Sequence, residues 1–272
     1  MRLLHKKNKL VGMEKVYRKF IFIFNIVALG ADIRSKTILL LNNIIIQKNL
    51  YINSKPRSFH AKIKVNGNNA NVHFQGTLDE MHALTEIFIE KCYNPTQKDI
   101  NKILDLGANI GLASIWFTLK FPKAIIHAYE PNPIIYPVLK KNLEPFKNIK
   151  CFNEAIGDAQ KGITFYISKR SFSSSAFPIT QGTPIQIKSQ SLDKAIERIN
   201  GKVDLLKIDI EGAEYQAFKK ATKMEYIYEI VGELHPDKTT SSPAEMEAVI
   251  SKTHVTKDAL TQNKSLFRAV RI

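Results

Sequence analysis

The sequence predicts an α/β protein, a doubly wound and mostly parallel sheet with an N-terminal helical and hairpin extension. Three observations carry that prediction. Beyond about residue 100, short apolar strands alternate with amphipathic helices, the order that right-handed crossovers turn into a parallel sheet. The strand candidates Lys102–Leu106 and Val203–Ile210 are mainly apolar, and in the first Ile103, Leu104 and Leu106 flank an acid, which suits a strand covered on both faces. The first of them runs into Gly107-Ala108-Asn109-Ile110-Gly111 and then a helix over about 112–121, a strand–glycine turn–helix unit.

Taken in order, the chain begins with a basic stretch, Arg2 to Lys19, that gives way to the apolar run Phe20–Leu29. The run is shorter than the ~20 residues a membrane span needs, and Asn25 interrupts it. It lies too far from a defensible small-residue cleavage site to be a signal peptide and reads as a core-facing helix, with peripheral membrane contact through residues 1–30 as the minor alternative. Thr37–Tyr51 is a second apolar, helical stretch. From Ala61 the period becomes two: Ile63 and Val65 alternate with lysines, Asn66-Gly67-Asn68-Asn69 turns, and Val72 and Phe74 return, a hairpin. Thr77-Leu78-Asp79-Glu80 is a capping box that opens a helix through Cys92, with Met81, Leu84, Ile87 and Phe88 on one face. The change of pattern falls between 76 and 100, and the expected domains are 1–76 and 77–272.

In the second domain a strand over 124–129 ends in Glu130, and a helix occupies 134–143. Ile149–Ile156 reads as one strand ending at Gly157-Asp158. Residues 162–167 and 185–190 form an antiparallel pair, and the Ser-, Thr- and Pro-rich stretch 171–184 between them is a loop over the site. Ser191 starts a short helix, and strand 203–210 turns at Glu211-Gly212-Ala213-Glu214 into helix 215–221. Strand 226–234 ends in Glu233-Leu234-His235, and the helix 243–251 and the tail 265–272 supply the edge.

The glycine turn is not a dinucleotide fingerprint. Counting from Gly107, the second glycine of G-x-G-x-x-G is Asn109 and the third is Leu112. The pattern that fits is D-x-G-x-x-x-G, with an acid, Glu130, at the end of the next strand, where it can accept hydrogen bonds from both hydroxyls of a ribose. No lysine-bearing phosphate loop is present. An adenosine site without a phosphate requirement points to S-adenosylmethionine. In a doubly wound sheet ligands sit at the carboxyl ends of the strands. That rule selects Asp105 and Gly107, Glu130, Ile156–Asp158, Asp209–Glu214 and Glu233–His235.

Charge and cysteine content bound the partners. The chain has 272 residues and a formal net charge of +15. Residues 1–60 hold 12 Lys/Arg against Glu14 and Asp32, whereas 61–272 hold 28 against 23. The excess therefore lies in the extension, which suits a membrane surface, an anionic glycan or nucleic acid. The near balance of the second domain makes nucleic acid the weaker choice. Cys92 and Cys151 form no CxxC pair, which argues against a disulfide framework or zinc site and fits a reducing, cytoplasmic location.

The segments D-L-G-A-N-I-G (105–111), Y-E-P-N-P (129–133), A-I-G-D (155–158) and D-L-L-K-I-D-I-E-G-A-E (204–214) resemble the FkbM-type family of S-adenosylmethionine-dependent methyltransferases. The resemblance covers residues 80–240. It implies a Rossmann-like, class I methyltransferase fold and O-methylation of a sugar, a glycan or another small hydroxylated acceptor. Carried across, it gives Asp105, Gly107, Asn109 and Gly111 the methionine end and sugar of the cofactor. It gives Glu130 the ribose, Ile156 and Asp158 the adenine, and the Asp209–Glu214 turn the border of the acceptor.

Methyl transfer from a sulfonium needs alignment and removal of the acceptor's proton. Asp209 and His235 are the candidates for that base. Geometry favours Asp209, at the tip of the strand beside the glycine strand. An unperturbed pKa near ~6.5 favours His235. Glu211, Glu214 and Glu233 border the acceptor, and with Asp209 and His235 they could hold a divalent cation. No spacing enforces coordination, so no metal is assigned. Glu214 has two bland readings, a surface helix acid or a partner for Lys207. Trp116 reads as core, the lone histidines 73, 82, 127 and 254 as structural, and Ser173–Ser175 as loop. Two other functions compete: an RNA ribose methyltransferase, suggested by the basic arm, and a non-catalytic scaffold for glycan assembly.

Overall fold

The structure, a computed structural model, describes residues 14, 17–52, 57–157, 162–167, 183–235, 241–257 and 266–272. The chain forms two compact units, Met1–Glu90 and Lys91–Ile272.

In the first unit, helix α1 (17–28) leads to α2 (Ile33–Ile52), strands β1 (Phe59–Val65) and β2 (Asn68–Phe74), and α3 (Leu78–Thr85). The hairpin closes through Asn66 and Gly67, both at positive φ (48° and 84°), the mirror-image turn that matches the twist of antiparallel strands. The capping box forms as expected: Thr77 accepts from the Glu80 backbone N–H, and the Glu80 carboxylate accepts from Thr77 N–H. The helix itself is shorter than the pattern implies. It stops at Thr85 and continues as a π-helical turn, Glu86–Glu90, in which Ile87 and Phe88 are buried. This helix also groups with the extension rather than with the second unit, and the His82 ring lies 4.8 Å from that of Phe22. The apolar run 20–29 is only half core-facing: Ile26 and Leu29 are buried, but Phe20 and Phe24 face outward.

The second unit is the doubly wound sheet. Its strands are β3 (Lys102–Leu106), β4 (Ile125–Tyr129), β5 (Ile149–Phe152), β10 (Val203–Ile208), β11 (Ile227–Glu233), β12 (His254–Thr256) and β13 (Leu266–Arg271). They stand in the order β12-β13-β11-β10-β3-β4-β5, parallel from β11 to β5, with β13 antiparallel to β11. The chain lays β3, β4 and β5 outward in one direction and then returns to build β10 and β11 in the other. The order thus reverses between β3 and β10, and a crevice opens there at the strands' carboxyl ends. Helices α6 (Leu192–Arg198), α7 (Glu214–Lys220) and α8 (Pro243–Ile250) share one core with Leu104, Leu206, Ile208 and Ile230. Helices α4 (Leu112–Lys120) and α5 (Tyr136–Leu143) contribute nothing to that cluster and pack beside β4 and β5.

Two expectations need correction. Residues 149–156 are not one strand. The chain breaks at Asn153, whose side-chain amide donates to the carbonyls of Glu130 and Pro131 (2.8 and 3.1 Å). Ala155-Ile156 (β6) then pairs with Ser189-Gln190 (β9) in a separate parallel ribbon. The tail strand β13 is not the edge, because β12 lies outside it and pairs antiparallel with it. The inserted antiparallel pair is present as β7 (Ile163–Ile167) and β8 (Thr183–Ile187). The loop expected over 171–184 lies outside the described residues through 182. Trp116, His127 and His254 are buried, as structural residues should be. Cys92 and Cys151 are free thiols, and both are half-buried.

Candidate functional site

The crevice begins with the glycine turn. β3 ends at Leu106, and Gly107 takes φ 78°, a left-handed conformation open to glycine at little cost. A Cβ here would stand 1.7 Å from the Asp209 carbonyl oxygen, so the β3 and β10 turns touch backbone to backbone. Asp209 N–H donates to the Leu106 carbonyl (3.1 Å), and Gly107 and Ala108 N–H donate to the Tyr129 carbonyl (3.0 and 2.9 Å). The turn is therefore clamped on both sides and leaves a backbone cradle facing the crevice. Asn109 is also left-handed (φ 51°) and caps its own turn, its Oδ1 accepting from Ile110 N–H. Gly111 does a different job. It caps α4 at φ 92°, and its Cβ position faces Leu139 and Leu143 of α5, so it serves helix packing away from the crevice.

Glu130 stands at the end of β4 and faces the same hollow. Its two carboxylate oxygens accept from the backbone N–H groups of Asn109 and Asn132, both at 2.8 Å. Burial raises its pKa to about 7, against the downward pull of those two hydrogen bonds. Each oxygen keeps a second lone pair for a ligand hydroxyl. The cavity is lined among others by Gly107, Asn109, Glu130, Ile135, Ile156 and Asp209. Its walls divide by character: polar backbone and acids toward β3, β4 and β10, and the aliphatic Ile135, Ile156 and Ile163 where a flat ring would lie. Asp158, expected at the adenine, lies outside the described residues.

Behind the turn is a buried ion pair that sequence reasoning missed. In the β3–β10 register Lys207 stands directly opposite Asp105. The two side chains are 3% and 0% exposed, and Lys207 Nζ lies 3.3 Å from Asp105 Oδ1. The other Asp105 oxygen accepts from Ser114 Oγ at 2.6 Å, whereas Oδ1 has the ion pair but no aligned hydrogen-bond donor. Lys207 also donates to the Gly107 carbonyl (2.8 Å). Burial opposes its charge, but Asp105 and Asp209 outweigh that and raise its pKa. The available signal was a charge of opposite sign near the carboxyl end of each of two strands, Asp105 and Lys207, one or two positions before their turns.

The second half of the site is an acid–histidine cluster at the ends of β10 and β11. Asp209 lines the cavity, half-buried, with Oδ2 accepting from Tyr93 OH (3.2 Å) and Oδ1 3.8 Å from His235 Nε2. Tyr93 was not expected in the site. Burial, then the Asp209 charge, holds its phenol well above the usual value. Glu211, at φ 57°, also lines the cavity, and its carboxylate is 3.7 Å from His235 Nε2. Glu214 is neither a surface acid nor a partner of Lys207. It is 1% exposed, and its Oε1 takes Ile210 and Gly212 N–H (both 3.1 Å) and His235 Nδ1 (3.0 Å). It holds the acceptor-side turn in shape from below.

His235 consequently differs from a free imidazole. Burial disfavours its charge, but the Glu214 hydrogen bond and the charges of Glu214, Glu211 and Asp209 override it and raise the pKa to about 9. The argument for His235 as base at an unperturbed pKa therefore fails, because a protonated ring has no lone pair to accept with. Asp209, Glu233 and His235 bring ligand-type atoms within 4.8 Å of one another. Half-buried acids gathered on a histidine do this without a metal, so the arrangement alone assigns no cation.

The residues present fit S-adenosylmethionine. Glu130 keeps acceptor capacity for a diol beside the Gly107 and Asn109 backbone, and Ile135 and Ile156 line the same cavity with aliphatic surface. Comparison with known proteins identifies the family. The methyltransferase FkbM domain model matches residues 105–254. The chain is 28% identical over 181 residues to the methyltransferase sdnD of Sordaria araneosa, covering 49% of this chain and 66% of that protein. It is 24% identical over 148 residues to the 2-O-methyltransferase NoeI of Sinorhizobium fredii, covering 46% and 61%. The aligned part thus spans about two thirds or less of these relatives. Among solved structures, the methyltransferase FkbM of Methylobacillus flagellatus KT aligns at 13% identity and a TM-score of 0.46, covering 94% of this chain and 60% of that one. With its glycine turn, the acid on the next strand and the Asp209–Glu214 turn all inside the matched segment, this chain belongs to the FkbM methyltransferase family.

Proposed function

We propose that the protein is an S-adenosylmethionine-dependent O-methyltransferase acting on a hydroxyl of a sugar, glycan or sugar-containing small molecule. One observation carries the reading: Glu130 and the Gly107 turn face a single cavity that Asp209 closes from the next strand. When bound, the cofactor supplies a methyl group on a sulfonium, a carbon already bearing a good leaving group. The chain's own task is then alignment and proton removal.

Gly107 and Asn109 present backbone to the donor, Glu130 accepts from its ribose, and Ile135 and Ile156 bracket the base. Asp209, on the cavity wall, would take the proton of the acceptor hydroxyl that receives the methyl group. Tyr93 and Lys207 hold the Asp209 carboxylate on its far side, with Lys207 Nζ 3.9 Å from Oδ2. His235, keeping its own proton, is hydrogen-bonded to Glu214 and sets its charge 3.8 Å from Asp209 and 3.7 Å from Glu211. Glu233 and Glu211 border the acceptor, where carboxylates suit the hydroxyls of a sugar. The names of relatives such as NoeI support O-methylation, and the half-buried acids support a polyhydroxylated acceptor over an anionic one. RNA is disfavoured because its phosphates would meet Asp209, Glu211 and Glu233.

Incubation with labelled S-adenosylmethionine and a panel of sugars, nucleotide sugars, glycans and RNA tests the reading. Label should enter a sugar hydroxyl, and Asp209→Asn should abolish transfer while binding the cofactor as wild type does. Incorporation into RNA alone, or full turnover by Asp209→Asn, would overturn it.

A further inference from the structure

Among the described residues sixteen large hydrophobic side chains are exposed, and nine of them fall between residues 17 and 45. On α1 they are Tyr17, Phe20, Ile21 and Phe24, spaced at i, i+3, i+4 and i+7, so they form one outward stripe. The opposite side of that helix supplies the buried Ile26. Three of the four are aromatic or tyrosyl and between 67% and 72% exposed, which is far more than a core-facing helix leaves in water. On α2 the same holds: Leu39 and Ile46 are buried, while Leu40, Leu41, Ile44 and Ile45 are exposed on the other side. A helix apolar all round needs a second apolar phase against its outer face.

The occupant follows from charge. Residues 1–60 carry 12 Lys/Arg against two acids, and Lys36 and Lys48 flank the α2 stripe and are exposed. A second copy would set the same positive excess against itself. Nucleic acid would use the cations but would leave the aliphatic and aromatic stripes in water. An anionic lipid surface satisfies both, with lysines among the headgroups and apolar side chains at the acyl boundary. No described helix is long and apolar enough to cross a bilayer, so the geometry is that of helices lying in the interface.

We propose that α1 and α2 dock the protein on an anionic lipid bilayer through their exposed apolar stripes. The inference is independent of the methyl-transfer reading, because it uses none of the crevice residues. Flotation of the full chain with vesicles tests it, comparing pure phosphatidylcholine with a mixture holding about one-third phosphatidylglycerol. Binding should favour the anionic vesicles by about tenfold or more. It should fall by a similar factor in about 1 M salt, where screening shrinks to about 3 Å. The double variant Phe20→Ser/Phe24→Ser should lose most binding while keeping wild-type melting and cofactor affinity. If that variant fails to fold, Leu41→Gln/Ile45→Gln should show the same loss, and the salt and lipid dependence of the wild type stand without either. Equal binding to both vesicles, no binding to either, variants that float like wild type, or a vesicle-free dimer broken by Phe20→Ser/Phe24→Ser would each overturn the proposal.

Discussion

Lys207 shows how much one side chain can decide. It is buried beside Asp105, and it ties that acid, the Gly107 carbonyl and Asp209 into one corner of the crevice. Removing it leaves a fully buried carboxylate without its cation, which costs more than the pair itself contributes. Lys207→Met should therefore lower unfolding stability by about 3–5 kcal/mol in urea titrations, with Asp105→Asn/Lys207→Met recovering part of the loss. A loss below about 1 kcal/mol would mean that Asp105 finds another partner. His235 teaches the complementary lesson: residue type alone suggested a neutral base, and only the Glu214 carboxylate beneath it revealed a held proton.

At the scale of elements, what was legible was whatever the local pattern fixes. The glycine turn, the hairpin with its Asn-Gly turn and the capping box at Thr77 all follow from neighbouring residues and stand in the structure. The break at Asn153 was not legible, because the amide that causes it bonds to carbonyls of a different strand's turn, some 22 residues away. The same holds for Tyr93, whose partner Asp209 is 116 residues distant. The most exacting contact is that of Gly107 with the Asp209 carbonyl, so Gly107→Ala must both adopt a left-handed φ and push two turns apart. It should cost at least about 2 kcal/mol of stability and most of the cofactor affinity, whereas Gly67→Ala, where nothing lies within 4 Å, should pay only the backbone strain.

For the whole molecule, the raised acid and raised histidine act in the same direction. His235 has a folded pKa of about 9 against 6.5 when unconstrained, so its stabilisation is complete below 6.5 and is lost as pH rises toward 9. Glu130, raised from 4.5 to about 7, is penalised as it ionises, so stability also falls across that range. In both windows the folded chain holds more protons than the unfolded one. The ligand-free protein should thus lose stability from about pH 5 to pH 9, with His235 accounting for up to about 3 kcal/mol. Glu214→Gln should flatten the portion above pH 6.5 in thermal melts taken at stepped pH; a curve that rises with pH would refute the assignment. The central claim remains the crevice between β3, β4 and β10 as an adenosyl site. Calorimetric titration of S-adenosylmethionine into wild type and Glu130→Gln tests it directly. A single site in the wild type, weakened in the variant by about 1–3 kcal/mol, is the expected result. Equal affinity in the two proteins, or no binding to the wild type, would contradict it.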